Sequence, residues 1–102
     1  MPRLWYTEIE MKLLVLYRPN SEMSRTIEEF VRGLQDRHGL GEHQLQVMDY
    51  DSREGSALAS LYDVTAQPVL LVLGNDGGYV KHWQGDALPL MDEVAGYVLS
   101  YQ

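Results

Sequence analysis

One hundred and two residues with 45% apolar content, seven tyrosines, two tryptophans and one phenylalanine are enough for a single folded domain with a real core. Fifteen acidic against eight basic residues give a net charge of -7, which repels phosphate and argues against nucleic acid and anionic membrane surfaces as partners. The absence of cysteine excludes disulfides, thiolate metal sites and thiol redox chemistry together. A chain whose cysteines had been replaced by serine would look the same, and that reading stays open. No apolar run reaches the length of a membrane span, and the first residues lack the pattern of a secretory leader, so the expected location is cytoplasmic.

Residues 1–11 are expected to form an arm or an extra edge strand ahead of a domain over 12–102. Leu4-Trp5-Tyr6 is apolar and Thr7-Glu8-Ile9-Glu10 alternates, which keeps open a homo-oligomer formed through Leu4, Trp5 and Tyr6. Lys12 to Tyr17 holds the run Leu13-Leu14-Val15-Leu16, a strand buried on both faces, and Arg18-Pro19-Asn20 breaks it. Ser21 is the expected N-cap of the helix that follows. Ile27, Phe30, Val31 and Leu34 recur at helical spacing behind Met23, and Gly39 after Arg37 and His38 marks the helix end. Leu45 to Met48 is a third apolar stretch with some alternation. The polar turn Asp49 to Gly55 then leads to a short helix over Ser56 to Tyr62, with Leu58, Leu61 and Tyr62 as its apolar face.

Pro68-Val69-Leu70-Leu71-Val72-Leu73-Gly74 is the second doubly buried strand. Proline cannot donate to a ladder, so Pro68 is expected at the strand's first position, and the Gln67–Pro68 bond is a candidate for the cis form. Asn75-Asp76-Gly77-Gly78 predicts a hairpin to a partner strand over Tyr79 to Gln84, ended by Gly85. Pro89 suits the first turn of a last helix, with Leu88, Met91, Val94, Ala95, Val98 and Leu99 as its buried stripe. The predicted order is βαβαββα. It implies an α/β domain built on a four-stranded mixed sheet with helices on both faces.

This order resembles the thioredoxin-like superfamily over roughly residues 12 to 101. The specific part is Leu61-Tyr62-Asp63-Val64-Thr65-Ala66-Gln67-Pro68-Val69-Leu70-Leu71-Val72, which is similar to that family's helix end, Tyr-x-Val/Ile and cis-proline strand. The hairpin and Trp83-Gln84-Gly85 fall where the family has its own. The resemblance places Ser21-Glu22-Met23-Ser24 on the Cys-x-x-Cys motif, with serine at both sulfur positions. It puts Asn20 at the preceding tryptophan and Val15 at or near the buried acid that assists proton transfer. It therefore implies a non-redox member, since a serine hydroxyl has no oxidised partner for thiol–disulfide exchange. It also implies that the loop after the first strand and the loop before the cis-proline adjoin, as a shallow surface for extended peptides. Here that surface would carry Tyr17, Arg18, Pro19, Asn20, Ser21, Met23, Ser24, Gln67, Pro68 and Val69.

The function expected from this is a non-catalytic binding or adaptor module for a protein or peptide partner, with no cofactor, no metal and no catalytic residue. Three alternatives stay open. One is a non-redox enzyme using Ser21 or Ser24 at a helix N-terminus, which would need a general base beside the hydroxyl. The second is a degenerate thiol-disulfide oxidoreductase. The third is a regulator similar to the KaiB clock proteins, whose entry to the first helix the Tyr17-Arg18-Pro19-Asn20-Ser21 stretch faintly resembles. Glutathione transferases also place a serine or tyrosine near this helix start, but they need a second, helical domain. His38, His43 and His82 occupy a helix end, a loop and a strand, and do not make a metal set. Asp49 to Gly55 departs from a calcium loop at Arg53 and at its glycine, and is expected to be a strand-to-helix turn with a capping residue.

Overall fold

Strands and helices alternate in the order β1 (Lys12–Tyr17), α1 (Ser24–His38), β2 (Leu45–Asp49), α2 (Arg53–Leu61), β3 (Val69–Leu73), β4 (Tyr79–Gln84), α3 (Met91–Leu99). The computed structural model describes residues 11–74, 76–85 and 87–99. The expected arm over residues 1–10, with its Leu4-Trp5-Tyr6 contact, lies outside the described residues, as does Asn75 of the hairpin turn.

The sheet order is β2-β1-β3-β4. β1 and β2 pair in parallel from Leu13 opposite Leu45 to Tyr17 opposite Asp49, and α1 is the crossover that a parallel pair requires. β3 is antiparallel to both β1 and β4. The two most apolar runs thus take the two central positions. Leu13 to Tyr17 and Val69 to Leu73 are buried without exception, as strands covered on both faces must be.

Side chains alternate between the faces, and this alternation divides the core. Leu13, Val15, Tyr17, Leu70 and Val72 pack with Ile27, Phe30 and Leu34 of α1 and with Val94, Ala95 and Val98 of α3. Leu14, Leu16, Val69, Leu71 and Leu73 pack with Ala59 of α2 and with Val64. Half-buried Val80 and Trp83 extend the first cluster along β4.

The structure departs from the sequence reading in α2, at Pro68 and in α3. α2 begins at Arg53, ahead of the expected Ser56, because Ser52 caps it: its Oγ accepts from the Gly55 N–H at 2.9 Å and donates to the Asp49 carbonyl at 2.8 Å. Leu58 and Tyr62 pack against the second cluster as expected, beside buried Gly55 and Ala59, but Leu61 is 69% exposed and is not part of the apolar face. Two positions along a helix turn a side chain to the opposite side of the axis, so with Ala59 buried Leu61 faces outward. Pro68 precedes β3 instead of opening it; it lacks an N–H, but its carbonyl still accepts from Gly85 at 2.9 Å. α3 begins at Met91, after Pro89, and Leu99 at its end is exposed.

Candidate functional site

The topology assembles one end of the sheet from three connections. β1 lies between β2 and β3, parallel to one and antiparallel to the other. The end of β1, the end of β2 and the start of β3 therefore meet at the same edge. Leu16 stands opposite Val69, and Tyr17 opposite Asp49. The residues just beyond, Arg18, Tyr50-Asp51 and Gln67-Pro68, become neighbours although they are far apart in sequence.

Hydrogen bonds join these loops. The Arg18 N–H donates to Gln67 Oε1 at 3.2 Å, tying the loop after β1 to the loop before β3. The Gln67–Pro68 peptide is cis, and Pro68 is fully buried. The Arg18 guanidinium lies over the Tyr50 ring, 5.5 Å from its centroid. It donates to Asp51 through Nε at 2.8 Å and through Nη2 at 3.2 Å. Asp51 is itself held in place, since its N–H donates to Asp49 Oδ1 at 2.9 Å. The Asp51 hydrogen bond and charge raise the Arg18 pKa further above its ordinary value, with smaller contributions from Tyr50 and Asp49. Both side chains are half exposed, 50% and 57%, so solvent screens their attraction. What the pair supplies is a fixed two-point geometry rather than much stability.

The other expected site residues divide. Asn20 and Pro19 are exposed in the turn before α1. Val69 is fully buried and is not part of the surface. Tyr17 is only 8% exposed. Its ring belongs to the core under α1, and its hydroxyl donates to Glu28 Oε2 at 2.8 Å. Burial, followed by the hydrogen bond to Glu28 and the charges of Glu28 and Asp49, pushes the Tyr17 hydroxyl above the usual tyrosine value. Met23 is half-buried against the same core cluster rather than displayed.

Ser21 does not cap α1. The helix starts at Ser24, its N-cap position is Met23 in helical geometry, and no side chain caps it. The Ser21 hydroxyl donates to the Arg18 carbonyl at 2.8 Å, and the Ser21 N–H reaches the same oxygen at 3.1 Å. The Ser24 N–H in turn donates to the Ser21 carbonyl at 3.2 Å. Pro19 and Asn20 form a tight turn that uses the serine as a donor, and a further turn intervenes before the helix. His38 Nε2 lies 3.2 Å from Asp92, and His82 Nδ1 lies 2.9 Å from the Tyr79 hydroxyl, so neither of these two rings is engaged with either serine. Among the described residues, no group of three or more His, Cys, Asp or Glu is placed to hold a metal ion. Nor is any helix long and apolar enough to cross a membrane.

Sequence reasoning missed Tyr50 and Asp51, which it placed in a polar turn without a role. The parallel register was the available signal. Once Tyr17 pairs with Asp49, the residue after Tyr17 must lie beside the residues after Asp49.

No family model and no curated protein matches the sequence. Solved structures do. A point mutant of thioredoxin from Halobacterium salinarum NRC-1 is 25% identical with a TM-score of 0.68, over 94% of this chain and 78% of that one. Thioredoxin of Fasciola hepatica is 18% identical with a TM-score of 0.67, over 99% and 89%. Mitochondrial thioredoxin 3 of Saccharomyces cerevisiae is 15% identical with a TM-score of 0.65, over 95% and 84%. The chain has a thioredoxin-like fold, and it has it without a single cysteine.

Proposed function

We propose that this chain is a non-catalytic binding module that takes an extended peptide segment of a protein partner across the loops after β1 and before β3. The observation behind this reading is the hydrogen bond from the Arg18 N–H to Gln67 Oε1. It fastens together the two loops that the thioredoxin resemblance assigns to peptide contact. A surface fixed in advance loses less freedom when a partner binds, and an extended segment supplies main-chain groups and alternate side chains to such a surface.

The neighbouring chemistry argues the same way. Ser21 and Ser24 stand where the resemblance puts the redox thiols, and serine supports no thiol–disulfide exchange. A serine nucleophile needs a base beside it. Here the Ser21 hydroxyl is instead spent on the Arg18 carbonyl.

The test is selection of random peptides on the purified protein, followed by anisotropy titration of the enriched peptides. Arg18→Ala and Gln67→Ala should each weaken binding about tenfold or more if these residues anchor the site. Failure to enrich any peptide, or equal affinity in the variants, would reject the reading.

A further inference from the structure

The arginine at the centre of this surface is already occupied. Two of its donors are satisfied by Asp51 in a fork-to-carboxylate arrangement at 2.8 and 3.2 Å. This is the geometry in which arginine takes a carboxylate or a phosphate from a partner. Asp49, which fixes Asp51 through its backbone N–H, adds a second acid close to the same guanidinium. One cation thus faces two carboxylates, in a chain whose net charge is -7. Tyr50 covers the guanidinium on one face, and Gln67 holds its backbone, so the fork is fixed toward Asp51.

We infer that Asp51 is the specificity-determining residue of this surface. By filling the Arg18 fork it refuses acidic and phosphorylated segments and leaves the site to neutral or basic ones. An incoming anion must displace Asp51 or lie beside it against like charge, and like-charge juxtaposition is how interfaces exclude wrong partners. A neutral carbonyl meets neither obstacle at the N–H groups of Arg18 that Asp51 does not use. A lysine or arginine side chain gains from the two carboxylates.

This inference rests on the binding surface proposed above, but its test needs no peptide partner. Inorganic phosphate is titrated into the full chain at constant ionic strength, with the Arg18 Nε–H and the amides of residues 18 and 20–24 followed by NMR. The variants are Asp51→Asn, Asp51→Ala and Arg18→Gln/Asp51→Asn. Phosphate should shift these signals saturably in Asp51→Asn, with an apparent affinity about tenfold or more above wild type, and the gain should vanish in the double variant. Asp51→Ala should reproduce it. Equal response of wild type and Asp51→Asn, whether both bind or neither does, would overturn the inference. So would a gain that persists without Arg18, or loss of the native spectrum in both single variants, which would make the pair structural. Should phosphate behave as expected while no peptide binds, the peptide reading falls, and what stands is that Asp51 closes the Arg18 fork to anions.

Discussion

Gly55→Ala tests whether the turn that carries Asp51 is as tightly built as described. A Cβ on Gly55 would collide with the Asp49 carbonyl oxygen and lie 3.0 Å from Ser52 Oγ. Neither neighbour can yield cheaply. The carbonyl is backbone that accepts the Ser52 hydroxyl, and Ser52 Oγ is the cap of α2. Alanine improves helix propensity by about 1 kcal/mol. Against that stand loss of the cap, about 0.5–2 kcal/mol, and overpacking of about 1–3 kcal/mol. The net expectation is destabilisation by about 0.5–4 kcal/mol, a drop in Tm on the order of 10 °C for a domain of this size. Thermal and urea unfolding followed by circular dichroism measures it. Gly96→Ala is the control: it lies in α3 with nothing within 4 Å of a new Cβ, and should stabilise by about 0.5–1 kcal/mol. The Arg18 Nε–H resonance should move in Gly55→Ala and stay in Gly96→Ala. If Gly55→Ala is neutral or stabilising, the close packing of Gly55 on Asp49 is wrong, and the placement of Asp51 falls with it.

Ser52→Ala should cost about 0.5–2 kcal/mol in urea unfolding, as a true cap does, whereas Ser21→Ala should cost less because it removes no cap; the reverse order would restore Ser21 as the helix cap. Tyr17 holds its proton more tightly in the folded chain, so its contribution to stability is whole below about pH 10 and is lost as pH rises through the folded value. Titration of tyrosinate absorbance should therefore show a late component that Tyr17→Phe removes, and a late component that persists in that variant, with the loss falling among the ordinary tyrosines, would place Tyr17 at the surface. A Ser21→Cys/Ser24→Cys double variant should form an intramolecular disulfide yet reduce insulin poorly, because fully buried Val15 offers no acid where the resemblance puts one; efficient turnover would show that the rest of a redox site is intact.

Much of the fold was legible because it depends on local signals. Doubly buried strands announce themselves as unbroken apolar runs, and β1 and β3 are the two longest. α1 shows its inward face through Ile27, Phe30 and Leu34, and its end through Gly39, whose φ of 71° suits glycine. The errors came where local propensity meets tertiary geometry. Ser21 has the right residue type for a cap, but the turn made by Pro19 and Asn20 uses its hydroxyl as a donor to Arg18. Leu61 looks like a core residue by type, but the buried face of α2 runs through Gly55 and Ala59, and Leu61 stands on the opposite side of the helix. Tyr17 was legible in principle, since alternation puts it on the face of Leu13 and Val15, under α1. Asp51 is of another kind. Its partner is 33 positions away, and nothing in its own neighbourhood points to Arg18 until the strand register is known.

The polar groups of the site bear on one another in a way that their individual strengths do not suggest. The Arg18–Asp51 pair is exposed and screened, and an isolated pair of this kind contributes little. Arg18, however, is bonded at three places: its N–H to Gln67, its carbonyl from Ser21, and its guanidinium to Asp51. Each bond fixes a different connection: the loop before β3, the turn before α1, and the turn after β2. One residue therefore sets the relative positions of all three segments that would face a partner. Replacing it would disturb surface geometry more than global stability, which distinguishes a residue that shapes a binding face from one that merely stabilises the fold. The same economy explains why a reactive serine is hard to build here. Freeing the Ser21 hydroxyl for chemistry would release the turn that positions Arg18.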